Sequence, residues 1–186
     1  MEVFFELKKI YKLSLALGFF DGIHIGHQVV INNAVLFAKR NNTKSAVITF
    51  KEHPKTILYN NDFNLLIDNN TKINILSNMG VDYLFFLDFY KLRHLSAMDF
   101  LDLLIQHFSP TAITTGFNYR FGYKRSGNTE LLSNMSNKYN YKYFEIGAIK
   151  YNNNVVSSTL IRQFIKEKRY EAVELLLGYE LYNKNT

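Results

Sequence analysis

The sequence predicts an α/β fold in which a mostly parallel sheet carries helices on both faces. Short apolar runs alternate along the chain with longer segments whose apolar residues recur at helical spacing. This alternation is typical of parallel strands joined by right-handed helical crossovers. The predicted strands are 13–19, 45–50, 81–87, 112–115 and 142–146, with 1–9 an edge strand or leader. The predicted helices are 27–40, 71–79, 96 to the exit at Pro110, 130–138, 158–165 and 170–177.

The composition is that of an ordinary globular chain. Its 186 residues are 47% hydrophobic and 20% charged, which suffices for one domain with a complete core. No apolar stretch is long enough to span a membrane. The absence of cysteine excludes disulfides and thiolate metal ligands. The net charge of +6 is scattered without a dense basic run, so we expect neither a nucleic-acid nor a membrane partner.

The first candidate site is the turn at residues 18–27, which spells GFFDGIHIGH. It joins a predicted strand to a predicted helix, and open α/β sheets bind ligands beyond the carboxyl ends of their strands. The helix start offers unpaired N–H groups and a positive dipole end to phosphate. Gly26 lacks a Cβ, so an anion can approach the backbone between His24 and His27. The turn therefore predicts a polyphosphate site, and two purely structural histidines are the alternative.

The second candidate site is the segment 116–128, GFNYRFGYKRSGN, which follows the fourth predicted strand. Aromatic residues alternate along it at Phe117, Tyr119, Phe121 and Tyr123, which predicts one aromatic face and one basic or polar face. A planar ring carrying a phosphate would suit this mixture through stacking and arginine contacts. A surface hairpin with scattered aromatic residues is the alternative.

The third candidate site is the segment 155–162, VVSSTLIR. Ser158 is predicted to cap a helix, and Arg162 lies one turn further on, so hydroxyl and guanidinium donors point to a common anion. A simple N-cap is the alternative.

Upstream, Pro54 holds His53 extended in a loop after the second strand. Because parallel strands end at one edge of the sheet, we expect all of these segments to meet at that edge.

These segments in this order resemble one enzyme family. GFFDGIHIGHQ, TFKEHP, GFNYRFGYKRSGN and VSSTLIR, with NMGVDYLFFLDF and LSAMDFL between them, are similar to the FMN adenylyltransferase module of bacterial bifunctional riboflavin kinase/FAD synthetases. The resemblance covers nearly the whole chain and implies a Rossmann-like HxGH nucleotidyltransferase fold. It implies transfer of AMP from ATP to FMN, giving FAD and pyrophosphate with Mg²⁺. We therefore expect a single cytoplasmic domain over 1–186, without a C-terminal riboflavin kinase domain.

The resemblance also implies a role for each residue at a matching position. The catalytic residues would be His24, His27 and Arg162. ATP would be bound by Gly18, Phe20, Asp21, Gly22, Gly26, Ser158 and Thr159. The flavin would be bound by His53, Pro54, Asn118, Phe121 and Arg125. No protein metal ligand is implied, and Mg²⁺ would arrive with ATP; a separate riboflavin kinase is a further candidate partner beside ATP and FMN.

Three departures from the family pattern concern the flavin side of the site. Phe19 stands where the family usually has Asn, Glu52 where it often has Pro, and Asn118 where Asp is common. Two alternative functions stay open: a nucleotidyltransferase for another phosphorylated acceptor, and a non-catalytic flavin or nucleotide binder. The HIGH tetrapeptide at 24–27 also occurs in class I aminoacyl-tRNA synthetases, but the chain has no Lys-Met-Ser-Lys-Ser segment.

Overall fold

A six-stranded parallel sheet forms the centre of the molecule. The computed structural model describes residues 1–59 and 64–180, without the side chains of Lys55 and Tyr59. The strands are β1 (Glu2–Phe4), β2 (Leu13–Leu17), β3 (Lys44–Phe50), β4 (Tyr83–Leu87), β5 (Ala112–Gly116), β6 (Arg120–Phe121), β7 (Gly127–Asn128), β8 (Lys142–Ile146), β9 (Lys150–Tyr151) and β10 (Asn154–Val155). The large sheet has the order β1-β4-β3-β2-β5-β8, and every neighbouring pair is parallel. The remaining strands form two small antiparallel hairpins, β6–β7 and β9–β10.

Helices cover both faces of the sheet, as the sequence predicts. They are α1 (Ile25–Arg40), α2 (Pro54–Tyr59), α3 (Asn69–Asn78), α4 (Phe89–Leu92), α5 (Ala97–Phe108), α6 (Thr129–Tyr139), α7 (Ser158–Lys166) and α8 (Tyr170–Leu177). Alternate residues of β2 point to opposite faces. Leu15 packs with residues of α5 and α6, whereas Ala16 packs with residues of α1 and α3. A third apolar cluster joins α7 to α8 beside the sheet.

Several local predictions are confirmed. Residues 2–4 form an edge strand parallel to β4, so the start of the described chain belongs to the fold. Ser96 and Asp99 form the predicted reciprocal capping box at the start of α5. Gly178 ends α8 in the left-handed region, with φ of 71°. Within the described residues, no helix has both the length and the apolarity needed to cross a membrane.

Other local predictions were wrong or incomplete. Ser157, not Ser158, caps α7, since its hydroxyl accepts the Leu160 N–H at 3.2 Å. α2 was not predicted from the sequence. Pro54 takes its first position, where the N–H that proline lacks would have no partner within the helix. α4 and the β9–β10 hairpin were not predicted either. The polar stretch 60–70 is typical of a loop, and its residues 60–63 lie outside the described residues.

The topology brings the candidate segments to one edge of the sheet. β2 lies between β3 and β5, and all three strands run in the same direction. Their carboxyl ends lead into the 18–27 turn, the His53-Pro54 loop and the 116–128 segment. The third segment follows β8, at the outer edge of the same sheet, after the β9–β10 hairpin. The prediction that the strand ends converge at one edge of the sheet is therefore confirmed.

Candidate active site

The turn after β2 has an unusual backbone. Phe20, Gly22 and Ile23 have φ of 55°, 75° and 35°, a left-handed region that residues with a side chain enter at a cost. Gly22 is required on two grounds, since an added Cβ would also lie 2.7 Å from Leu66 Cδ1. The Phe20 ring is buried beneath Gly18, whose added Cβ would lie 2.7 Å from that ring. Gly18, Phe20 and Gly22 thus shape the turn. The Phe20 side chain is part of the hydrophobic core.

Side chains from distant elements hold the carbonyl groups of this turn. The donors are Thr49 Oγ1 and Lys72 Nζ to Phe19 O, both at 2.9 Å, Ser158 Oγ to Asp21 O at 2.9 Å, Tyr179 Oη to Gly22 O at 2.5 Å, and Gln28 Nε2 to Ile23 O at 2.9 Å. Gln28 also donates to Leu177 O at 2.6 Å, which joins the start of α1 to the end of α8. Donors from β3, α3, α7 and the end of α8 therefore fix the strained turn in one conformation.

The two histidines form a stacked pair at the start of α1. His24 caps the helix, because its Nδ1 accepts the His27 N–H at 3.3 Å. The two rings lie 3.6 Å apart between centroids, at an interplanar angle of 17°. With Nδ1 of His24 acting as an acceptor, the proton of the neutral ring sits on Nε2. His27 Nδ1 is buried with no partner among the described residues, which favours the same tautomer. Each ring then keeps an Nε2–H for a ligand.

Both imidazoles are neutral near neutral pH. Burial lowers the pKa of His24 to about 4, although the Asp21 carboxylate opposes that shift. Burial also lowers the pKa of His27 well below 6.5, and the positive charges of His24 and Lys72 add to the effect. The pair therefore offers two neutral N–H donors, not two cations.

The low pKa of His24 predicts a loss of stability in acid. Between about pH 6.5 and 4 the unfolded chain binds a proton on His24 that the folded chain does not, so the unfolding free energy falls as the pH is lowered. The shift from 6.5 to about 4 corresponds to about 3 kcal/mol. Urea unfolding at neutral pH and in acid gives the unfolding free energy of the wild type and of His24→Asn at each pH. The contribution of His24 is the difference between the two proteins in how much that free energy falls from neutral pH to acid. Parallel pH profiles would contradict it.

Gly26 lies beneath the His24 ring. An added Cβ would lie 3.2 Å from His24 Nδ1 and Cε1, so alanine would push the ring aside by a few tenths of an ångström. We expect Gly26→Ala to keep or raise the melting temperature, because alanine favours a helix by up to ~1 kcal/mol over glycine. We expect turnover to fall by roughly tenfold, because misplaced catalytic groups lose alignment. Thermal melting and initial rates check both; unchanged turnover would contradict the second expectation.

The third segment lies against the same turn. Arg162 pairs with the buried carboxylate of Asp21 through a very short contact, and it donates to Asn64 O at 2.8 Å and to Ser158 O at 3.2 Å. The other oxygen of Asp21 accepts the Leu66 N–H at 2.9 Å. The predicted anion donors Ser158 and Arg162 thus reach the turn, but in this structure they bind its Asp21. Thr159, also predicted to bind ATP, is exposed at the start of α7.

The His53-Pro54 loop touches the turn on its other side. The His53 ring meets the Phe19 ring edge-on, with 4.5 Å between centroids. Pro54 is partly buried and begins α2. Phe19, one of the departures from the family pattern, thus lies between this loop and the buried ammonium of Lys72, which is 4.4 Å from its ring centroid.

The 116–128 segment starts at the same edge but folds differently from the prediction. The expected alternation of four aromatic residues on one face was wrong, because within 117–123 only Arg120–Phe121 is a strand and Gly122 turns the chain with φ of 72°. Phe121 is buried at 7% exposure against Phe100 and Tyr119, so it supports the segment from the core side. Phe117, Tyr123, Asn118 and Arg125 are exposed.

Sequence reasoning missed the residues that support the turn: Thr49, Lys72 and Tyr179. Thr49 begins the TFKEHP segment, but no role was expected for it, and Lys72 and Tyr179 lie outside all of the candidate segments. Lys72 had a signal, since it lies four residues before the core residue Leu76 on the buried side of α3. A lysine on the buried stripe of a helix is rarely placed there by packing alone.

A parallel α/β sheet with an HxGH pair at the helix start after an inner strand defines the class of nucleotidyltransferase-like proteins. More narrowly, the sequence matches the FAD synthetase family over residues 7–160, and the chain belongs to that family.

Similar proteins agree with that assignment. The chain is 35% identical to a bifunctional riboflavin kinase/FMN adenylyltransferase of Buchnera aphidicola from Schizaphis graminum, over 93% of this chain and 57% of that protein. It is 29% identical to an FAD synthetase of Listeria monocytogenes, over 90% of this chain and 69% of that protein. The chain thus spans little more than half the length of the bifunctional relatives.

Solved structures agree on the fold. A Streptococcus pneumoniae structure described as a macrolide-efflux protein superposes with a TM-score of 0.84 at 28% identity, over 94% of this chain and 67% of that one. Pantothenate synthetase from Thermus thermophilus superposes with a TM-score of 0.50 at 14% identity, over 92% of this chain and 67% of that one. The second likeness concerns the fold alone.

Proposed function

We propose that this chain transfers AMP from ATP to FMN, giving FAD and pyrophosphate. The observation that carries the proposal is the stacked His24–His27 pair at the start of α1, beside Arg162 and the start of α7, in a member of the FAD synthetase family. Two neutral N–H donors, a guanidinium and a helix start are groups that suit the binding of a triphosphate.

The proposed reaction needs no protein nucleophile. A phosphate oxygen of FMN attacks the α-phosphorus of ATP in line, a new P–O bond forms, and the bond to the leaving pyrophosphate breaks. The attacking phosphate is already ionised at neutral pH, so the protein aligns the two phosphates and stabilises the charge that develops between them. His24 and His27 would donate Nε2–H to phosphate oxygens, and Arg162, with Ser158 and Thr159, would hold the β- and γ-phosphates.

Arg162 can take that role only by exchanging partners. In this structure its guanidinium binds Asp21, Asn64 O and Ser158 O. A triphosphate carries more negative charge than one carboxylate, so it can compete for the same donors. The side chain is 24% exposed, which lets a ligand approach it.

The flavin would lie on the Phe19 side of the turn. The rings of Phe19 and His53 offer an apolar wall there, and Pro54, Asn118, Phe121 and Arg125 remain the other proposed flavin residues. Arg125 is exposed and would suit the FMN phosphate.

Across residues 1–59 and 64–180, no group of three or more His, Cys, Asp or Glu side chains is placed to hold a metal ion. We propose that Mg²⁺ enters bound to the phosphates of ATP. A cytoplasmic location and a separate riboflavin kinase as the source of FMN complete the proposal.

Chromatography of reaction mixtures tests the proposed function. The chain is incubated with ATP, Mg²⁺ and either FMN or riboflavin, and we expect FAD from FMN and no product from riboflavin. Nicotinamide mononucleotide and phosphopantetheine as acceptors test the alternative nucleotidyltransferases. Adenylylation of one of these in place of FMN would overturn the proposal, as would tight FMN binding with no FAD formed.

A further inference from the structure

We propose that Lys72 is a positioning residue of the phosphate site, whose buried ammonium holds the Phe19 carbonyl and provides a fixed positive charge beneath the turn that binds the triphosphate. The inference rests on the proposed function only in taking a nucleoside triphosphate as the ligand. Lys72 lies on α3, far in sequence from the three candidate segments, and none of their motifs includes it.

The first support is the burial of the ammonium. Lys72 is 2% exposed, and its Nζ donates to Phe19 O at 2.9 Å. Its second contact is the face of the Phe19 ring, 4.4 Å away at the centroid. An ammonium has three N–H donors, and among the described residues Phe19 O is its one hydrogen-bond acceptor. No carboxylate of the described chain forms an ion pair with it.

The second support is that the fold does not need this charge. Thr49 Oγ1 already donates to the same Phe19 carbonyl at 2.9 Å, so that oxygen would stay satisfied without Lys72. A methionine would fill the core side of α3 without the cost of burying a charge. The contacts with Phe19 and the attraction of Asp21 recover only part of the free energy lost by burying the ammonium, since its pKa stays lowered, and an anion bound over the turn would recover more.

The third support is the position of the ammonium between the two halves of the site. Phe19 contacts the His53 loop on one side and leads into the strained turn at Phe20 on the other. The positive charge of Lys72 lowers the pKa of His27, and Asp21 partly offsets the effect of burial on Lys72 itself. Burial lowers the pKa of Lys72 to about 8, so the group remains mostly protonated at neutral pH.

Lys72→Met tests the inference against a purely structural role. We expect the melting temperature to stay unchanged or to rise, because a buried charge is replaced by an apolar side chain of similar length. We expect kcat/KM for ATP to fall by at least about tenfold, because Phe19 O loses one of its two side-chain donors and the phosphates lose a nearby charge. Lys39→Met, an exposed lysine near the far end of α1, is the matched control. A Met variant with wild-type kinetics would overturn the inference.

Chemical rescue separates the charge from the hydrogen bond. Because the chain has no cysteine, Lys72→Cys can be alkylated at that one thiol in denaturant and refolded. Treatment with 2-bromoethylamine restores an ammonium at nearly the length of lysine, and 2-bromoethanol gives a neutral hydroxyl at the same place. We expect the first product to recover most of the lost kcat/KM and the second to stay low. Equal activity of the two products would overturn the role of the charge.

Two measurements without turnover distinguish this inference from the proposed function. Calorimetry with inorganic tripolyphosphate should give a Kd at least about tenfold higher for Lys72→Met than for the wild type. Histidine NMR titration should show a higher pKa for His27 in that variant, because Lys72 is one of the two groups, with His24, whose positive charges lower it. If the wild type forms no FAD but tripolyphosphate binding still depends on Lys72, the proposed function fails and this inference stands. If FAD forms and neither measurement changes, this inference fails alone.

Discussion

Replacing His24 with asparagine is expected to lower the rate of FAD formation by about 100- to 1000-fold, the effect of removing one donor from a preorganised anion site. The variant deletes the Nε2–H that would bind a phosphate oxygen. It keeps the helix cap, because the asparagine oxygen can accept the His27 N–H that His24 Nδ1 accepts now. The unfolding free energy at neutral pH should therefore change little, while the steady-state rate with FMN and ATP falls.

A matched control uses a histidine at the other edge of the sheet. His107 lies in the last turn of α5, where its ring contacts Leu103 O, and His107→Asn should leave the rate of FAD formation unchanged. His24→Ala adds a second comparison, since it also removes the cap and should lose about 1 kcal/mol of stability. His24→Asn with wild-type turnover would remove the imidazole from the mechanism and leave it a helix cap.

The parts of this molecule that depend on the local pattern of apolar and capping residues could be predicted from the sequence. Buried strands such as 45–50 and a strongly capped helix such as the one after Ser96 follow from local residues, and the structure confirms both. The meeting of the strand ends follows from their parallel direction, so it could be predicted without knowing any contact. The HxGH turn was placed correctly for the same reason.

Contacts between distant segments could not be predicted in this way. Which hydroxyl of the Ser157-Ser158 pair caps α7 depends on where the other hydroxyl finds an acceptor, and Ser158 finds it at Asp21 O. The role assigned to Gly26 illustrates the same limit. Its missing Cβ was expected to admit a phosphate, which stays a prediction, and the structure shows that it makes room for the His24 ring.

At neutral pH, the ion pair between Asp21 and Arg162 gives the largest expected effect on stability. Arg162→Gln leaves the 5% exposed side chain of Asp21 without its cation, and we expect the unfolding free energy to fall by about 3 kcal/mol. Asp21→Asn keeps an oxygen for the Leu66 N–H but turns an amide donor toward the guanidinium, so a similar loss is expected. Urea unfolding at neutral pH measures both.

The double variant tests whether the two losses share one cause. When both side chains are amides, neither of these two positions leaves a buried charge without its partner, so the combined loss should be smaller than the sum of the single losses by about 2 kcal/mol. Strictly additive losses would show that the pair does not couple.

Activity should behave differently: every variant without Arg162 should have a raised KM for ATP, because no guanidinium remains to leave Asp21 for the phosphates. Partial recovery of stability without recovery of ATP affinity would separate the structural role of Arg162 from its proposed role in binding.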